Sequence, residues 1–255
     1  VDKVDAIADV LERAYARDDL AGRLVSTRLG STTSTFLYDA FGRTSRIETT
    51  DAAMKVRIDI TYDAFEREDS RTFDLNGTGQ VMTQKYNVVD LLAERRLSEG
   101  PTDVRLEDYV YDGRNRLTTY RCQGTEPPED QHGNKILSQA FQFDGKDNIT
   151  RVLTTFQAGG SNIGGYHYDG PDKTQLSRVT NNNTAAGYPA LITLAYDKNG
   201  NLVLDEVGRI LEYDALNRLL SVSANPGGAS AKFSYDPLNT LAASGELGTE
   251  EQRFY

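Results

Sequence analysis

The sequence predicts an all-β fold of stacked antiparallel β-hairpins, and three observations predict it. Ten times an aromatic residue, usually Tyr, precedes Asp or Asn: Tyr38-Asp39, Tyr62-Asp63, Phe73-Asp74, Tyr86-Asn87, Tyr111-Asp112, Phe143-Asp144, Tyr168-Asp169, Tyr196-Asp197, Tyr213-Asp214 and Tyr235-Asp236. Three residues beyond each pair stand Gly42, Glu66, Gly77, Asp90, Asn115, Asp147, Asp172, Gly200, Asn217 and Asn239, of which only Glu66 is a type that seldom takes a left-handed backbone. Apolar residues alternate with mixed ones on the approach to each pair. Periodicity of this kind marks a repeat protein.

The turn is the first element. An Asp that opens a turn accepts a hydrogen bond from the backbone two residues on, and a left-handed residue closing a type I turn is a common hairpin connection. The incoming strand is the second. Phe36, Ile60, Tyr109, Phe141, Tyr166, Leu194, Leu211 and Phe233 lie three before the Asp, while Leu37, Thr61, Val110, Gln142, His167, Ala195, Glu212 and Ser234 lie two before. That alternation predicts one packed and one wetter face. The return strand follows, with Leu117, Ile149, Leu202, Leu219 and Leu241 five past the Asp. Repeats recur at irregular intervals of roughly the low to mid twenties, and a lone hairpin is marginal, so each unit is expected to lean on its neighbours.

Ahead of the array, Val4, Ile7, Ala8, Leu11 and Tyr15 stand at helical spacing, with Asp2 and Asp5 suited to the positive end of a helix dipole. Residues 3–17 are therefore expected to form a short N-terminal helix. Residues 1–30 are read as a helical segment and lead-in, with a turn at Gly30-Ser31, and 31–255 as the array, truncated at its C-terminus. Between hairpins, Gln123–Gln139, Gly159–Gly165 and Asn181–Pro189 read as exposed polar loops. Starting at Val1 without Met, and stopping at Gln252-Arg253-Phe254-Tyr255 in what reads as a fresh strand, the chain is expected to be a processed or excised piece.

Composition narrows the function. The 28 Lys and Arg against 38 Asp and Glu give −10, which repels a phosphate backbone and argues against a nucleic-acid partner. Hydrophobic residues make up 38% and Trp is absent, which suits a thin sheet better than a thick core. The single Cys122 excludes an internal disulfide framework, no run is long enough to span a membrane, and no signal peptide is visible.

The chemistry-bearing residues point away from catalysis. Asp197-Lys198-Asn199-Gly200-Asn201 resembles the start of a calcium loop, but Gly208 stands where the bidentate Glu belongs, so a hairpin turn is expected and no metal or other cofactor. His132 and His167 lack ligand spacing, Cys122 has no His nearby in sequence, and the Gly159–Gly165 stretch lacks the Lys-Ser or Lys-Thr of a phosphate loop. The Tyr residues read as ladders packed between hairpins rather than as platforms for sugars.

Written out, Tyr38-Asp39-Ala40-Phe41-Gly42-Arg43, Tyr213-Asp214-Ala215-Leu216-Asn217-Arg218 and Tyr196-Asp197-Lys198-Asn199-Gly200-Asn201-Leu202 closely resemble the YD repeats of the Rhs family, over most of the chain. That family includes Rhs polymorphic toxins, the C component of insecticidal toxin complexes, and teneurins. The resemblance implies that the repeats wind into a curved, partial β-shell, which in bacterial members encloses a toxic C-terminal domain. The repeat positions it marks are Tyr38, Asp39, Gly42, Tyr62, Asp63, Tyr111, Asp112, Asn115, Phe143, Asp144, Tyr168, Asp169, Tyr196, Asp197, Gly200, Tyr213, Asp214, Asn217, Tyr235, Asp236 and Asn239. Asp236-Pro237-Leu238-Asn239 resembles the family's self-cleaving end only superficially, lacking the second Asp and following Gly, so no protease residue is carried over.

The resulting expectation is a structural, non-catalytic wall segment, made in the bacterial cytoplasm and then secreted or delivered. Its partners would be the rest of the shell, an enclosed toxin polypeptide and delivery proteins, and acidic residues on an inner face would favour a basic cargo. The rival is an extracellular adhesion or glycan-binding module of the same repeats. A β-propeller enzyme is disfavoured by the irregular intervals.

Overall fold

A computed structural model describes residues 2–5, 10–18, 20–223, 230–246 and 251–252. The protein is all-β, and its one helical element among the described residues is a 3-10 turn at Thr184–Ala186. Two compact units divide the chain: Val1–Glu129 with Lys135–Ser138, and Asp130–Asn134 with Gln139–Tyr255.

The first unit holds β1 (Asp2–Asp5), β2 (Val10–Arg17), β3 (Leu24–Leu29), β4 (Thr32–Tyr38), β5 (Thr44–Asp51), β6 (Met54–Tyr62), β7 (Glu68–Leu75), β8 (Thr78–Tyr86), β9 (Leu92–Glu99), β10 (Thr102–Tyr111) and β11 (Leu117–Gln123). Each pairs antiparallel with the next in chain order. The second contains most of β12 (Ile136–Phe143), then β13 (Ile149–Phe156), β14 (Ser161–His167), β15 (Arg178–Asn181), β16 (Leu191–Thr193), β17 (Ala195–Tyr196), β18 (Leu202–Leu204), β19 (Leu211–Tyr213), β20 (Leu219–Val222), β21 (Ala231–Tyr235), β22 (Leu241–Glu246) and β23 (Glu251–Gln252). Here too pairing is antiparallel and sequential within each sheet, and no sheet closes on itself among the described residues.

The expected N-terminal helix is not formed: β1 and β2 are antiparallel strands, and β2 adds to β3 with Tyr15 opposite Thr27. A short isolated helix is marginal in water, whereas the edge of β3 offers a row of unpaired backbone groups. The lead-in and the first hairpins are thus one sheet.

Two of the three expected loops also differ. Gly159-Gly160 is a tight turn, but the residues after it form β14, where Thr180 and Tyr166 side chains cover the faces of Gly165 and Gly164. Gln123–Gln139 is partly anchored: Thr125 and Glu126 N–H groups donate to Asp103 and Val104 carbonyls, and Pro127 is buried. In 181–189, Asn183 bonds the Ser161 carbonyl and Asn182 accepts from Ile163 N–H, fastening the loop to β14.

In the first unit the sheet has two unlike faces. One carries Phe36, Ile47, Ile58 and Phe73 in register across β4–β7, with Ile60 buried beside them. The other carries ion pairs: across strands Asp59 with Arg46, Arg57 with Asp74, Lys55 with Glu48, Lys85 with Glu94 and Arg96 with Asp103, and along β6 Arg57 with Asp59. Charge on this face is therefore largely compensated, rather than the acidic field that net charge alone suggests. No side chain among the described residues is completely buried.

Candidate functional site

The recurring site is the Tyr-Asp turn, built alike at position after position. A one-residue register shift precedes Tyr38, Tyr62, Tyr86, Tyr111, Tyr196, Tyr213 and Tyr235, so each hairpin closes through a β-bulge. In the turn that follows Tyr38, Asp39 Oδ1 accepts from Phe41 and Arg43 N–H, both at 2.9 Å. Its Oδ2 takes Arg43 Nε at 2.7 Å. Asp63, Asp112 and Asp214 repeat this with Arg67, Arg116 and Arg218. Asp144 and Asp197 make it with Asn148 and Asn201 amides. Asn87 and Asp236 make the backbone half, since Leu91 and Thr240 replace the Arg.

The left-handed residue is where the spacing puts it: Gly42, Asp90, Asn115, Asp147, Gly200, Asn217 and Asn239 all have positive φ. Glu66 does too, at φ 68°, despite its side chain. Two of the ten pairs depart from the pattern. Phe73-Asp74 lies within β7, and its hairpin closes instead on Asn76-Gly77, with both residues left-handed and Leu75 opposite Thr78. Asp169 opens a longer connection, pairing with Arg178 at 2.8 Å, while Asp172 makes a turn of its own with Thr174.

Six of the turns are fastened to the hairpin that follows. Tyr62 Oη donates to the Thr44 carbonyl at 2.8 Å, Tyr86 to Glu68 at 3.0 Å and Tyr111 to Leu92 at 2.8 Å. Tyr168 reaches Ile149 and Tyr235 reaches Leu219 in the same way, and Tyr38 reaches Leu24. The accepting residue follows the Arg or Asn that closes the preceding turn, or Leu91 in the turn around Asn87. That Arg lies over the incoming ring: Arg43 is 4.3 Å from the centroid of Tyr62, Arg67 4.5 Å from Tyr86 and Arg218 4.8 Å from Tyr235. Asn201 and Arg218 also donate to the left-handed Asn217 and Asn239 of the turn ahead. Phe143 holds the aromatic position at the end of β12 without a hydroxyl, Tyr213 is half-buried at the end of β19, and Tyr196 lines a groove beside the 169–177 connection.

Three further turns of this type escaped the aromatic pattern. Asp130 and Asp205 make the full set with Asn134 and Arg209, without an aromatic before them. Asp18 makes a version one residue longer, closed by left-handed Gly22 and paired with Arg23. Asp followed three on by Gly and four on by Arg or Asn is the signal for the first two.

The electrostatics follow from these bonds. The Arg116 side chain, aided by the Arg116 and Arg114 N–H groups, holds Asp112 down from the ordinary 3.8 to about 2. Burial pushes the Asp39 and Asp63 carboxyls upward, but their Arg and backbone donors prevail and both are lowered. On the apolar face, buried Glu107 accepts Arg95 Nε at 2.6 Å and Tyr120 Oη at 2.9 Å. Burial opposes its charge, yet those two donors keep its carboxyl below the usual range, while burial and then the Glu107 charge push Tyr109 up to about 12. Burial also pushes up the neighbouring Cys122 thiol, which is 3% exposed.

The second unit adds an interlock of insertions. Tyr188 Oη donates to Asp130, Asn134 donates to the Ala186 carbonyl at 2.9 Å, and the His132 ring meets the Tyr188 edge with centroids 4.9 Å apart. His167 bonds Thr180 and Arg178. Asp197, in the stretch that resembles a calcium loop, has both oxygens engaged by Asn199 and Asn201. Among the described residues, no cluster of three His, Cys, Asp or Glu is arranged to hold a metal, and no helix is long and apolar enough to cross a membrane. What the repeated site does is mechanical: it closes a turn and binds that turn to its neighbour.

No protein-family model and no curated protein matches the sequence. Solved structures do share the fold. A crystal structure of TcdB2-TccC3 matches with TM-score 0.65 and 12% identity over 93% of this chain and 14% of that one. A crystal structure of TcdB2-TccC3-TEV matches at TM-score 0.64 and 12% identity, covering 93% and 13%. A Photorhabdus luminescens Tc holotoxin pore structure matches at 0.65 and 11%, again covering 93% and 13%. The chain thus spans a small part of the length of the chains it matches, and identity this low shows a common fold.

Proposed function

We propose that the chain is a structural, non-catalytic stretch of wall in a hollow YD-repeat shell of the Rhs type, which encloses a toxin polypeptide before delivery. One observation carries this reading. The same clip, with its carboxylate oxygens spent on backbone and Arg or Asn donors, recurs along the sheets, and Tyr hydroxyls tie successive hairpins together at six places. Such a lattice gives extent and stiffness without a reactive centre. The fold shared with TcdB2-TccC3 chains supports it. The partners of this segment are the remaining wall, the enclosed polypeptide and the delivery proteins. The protein is made in the bacterial cytoplasm and exported with its cargo.

Limited proteolysis of the full-length product tests this. A downstream polypeptide that stays bound and resists protease until the wall is unfolded is the expected result. A downstream segment cut as readily as free chain would overturn enclosure and favour adhesion. The specific feature on the side of adhesion is a groove of about 640 Å³ lined by Tyr196, Gln175, Asp172 and Asn199, amphipathic in the way sugar sites are.

A further inference from the structure

Among the described residues, the second unit is most loosely joined around the hairpin that carries Asp197. Every strand up to β16 forms a ladder with its neighbour, β17 does so with β18, and so does each step from β19 to β23, whereas β18 and β19 form none. The turn between those two strands is nevertheless complete: Asp205 accepts from Val207 and Arg209 N–H and takes Arg209 Nε at 2.6 Å. Its arms part after the single pair Leu204–Ile210. The arms beside Asp112, by contrast, run together for six pairs. On the other flank, β16 and β17 are one run interrupted at Leu194, whose N–H meets the Ser177 carbonyl at 2.9 Å. Beyond Leu194 a groove of about 640 Å³ separates the hairpin from the 169–177 connection.

The tyrosine fasteners are missing at the same place. Six of the eight repeat tyrosines donate to a carbonyl behind them, and the two whose hydroxyls meet no partner among the described residues are Tyr196 and Tyr213. They stand on the first strand of this hairpin and of the next. Beyond the Asp205 turn, the hydrogen-bonded ties from β18 to the following hairpin are the Leu204–Ile210 pair and the bond from Asn201 Nδ2 to Asn217 at 2.9 Å.

We propose that residues 195–204 are a flap that swings out of the array as a unit, hinged at Leu194 and at the Asp205 turn. The flap keeps its own shape, because Ala195 pairs with Leu204, Tyr196 with Leu202, and Asp197 holds both the Asn201 N–H and its side-chain amide. Segments with few ties open at a small fraction of the global unfolding free energy. Where the array serves as a wall, the flap is a door in it. That use rests on the reading above, and the swinging itself does not.

The test is native-state hydrogen exchange on the chain without any downstream polypeptide, so that enclosure does not enter. Amides of 195–204 are expected to exchange at least ~100-fold faster than those of β4 to β11, with little dependence on urea because a swinging flap exposes little new surface. Asn217→Gly deletes the bond from Asn201 and keeps the left-handed backbone that Gly42 and Gly200 adopt at the same turn position. It is expected to speed exchange of 195–204 by a further factor of about 5. Asp90→Gly deletes the corresponding tie from Arg67 beside the six-pair ladder of β8 and β9, and is expected to leave 195–204 as in the wild type. A hairpin as slow as β4 to β11 overturns the flap, and so does exchange at 195–204 with the same steep urea dependence as β13 and β14, which would mean that the unit opens whole. An Asn217→Gly chain that exchanges like wild type, or faster everywhere alike, also overturns it.

Discussion

Removing the Tyr62 hydroxyl isolates the link between hairpins. Tyr62→Phe keeps the ring under Arg43, 4.3 Å away, and deletes only the 2.8 Å bond to the Thr44 carbonyl. A partly buried hydrogen bond contributes about 1 kcal/mol, so amides of β5 and β6 should exchange roughly 5-fold faster in native-state hydrogen exchange. Tyr62→Leu also removes the cation–π contact, about 0.5–1 kcal/mol more, together with the aromatic area. Tyr38, Tyr62, Tyr86 and Tyr111 each donate one such bond, at sites about 10 Å apart. Their losses should therefore add, to about 4 kcal/mol for the fourfold Phe variant. That is a large fraction of the 5–15 kcal/mol typical of a folded domain. Tyr15→Phe, at an exposed position on β2, serves as the control. If Tyr62→Phe exchanges like wild type, or Tyr15→Phe loses as much protection, the hydroxyl is not the fastener described here.

Acid should unfasten the array. Asp112 is protonated near pH 2 when folded, against an ordinary 3.8, so its contribution is complete above about pH 4 and is lost as pH falls toward 2. Asp39, Asp63, Asp144, Asp197 and Asp214 are lowered in the same direction, so urea midpoints should drop steeply through this window; a flat profile would contradict the clip. Gly124→Ala puts a Cβ 2.5 Å from the Val104 carbonyl at φ 121° and should destabilise by about 2 kcal/mol or more, read as a lower urea midpoint. Glu66→Asn relieves a left-handed backbone and should stabilise by about 0.5–1 kcal/mol, read as a higher urea midpoint. Cys122 should resist a thiol reagent until denaturant is added, because it is buried and its thiol pKa is raised.

The turns were legible because their physics is local. An Asp carboxylate, two N–H groups and a left-handed residue lie within a few positions, so Asp39, Asp112 and Asp214 announce themselves in letters alone. Requiring an aromatic partner hid Asp130 and Asp205, whose turns need none. It also admitted Phe73-Asp74, where Asn76-Gly77 two residues on makes the tighter turn. The N-terminal strands were illegible for the opposite reason. Whether Val10–Arg17 coils or extends is decided by the edge of β3, which no window of the sequence contains. Gly164 and Gly165 likewise read as loop until Tyr166 and Thr180 are seen to cover them. The bond from each Tyr to the previous turn spans 14 to 19 residues and joins groups that no motif pairs.

Those bonds all point backwards along the chain. Tyr62 finds its acceptor in the turn already made around Asp39, and Tyr86 in the turn around Asp63. During synthesis, each hairpin leaving the ribosome therefore meets a finished template, and no contact of this kind waits for a residue far downstream. The array can be laid like a course of bricks, from first to last, each new hairpin set against one already in place.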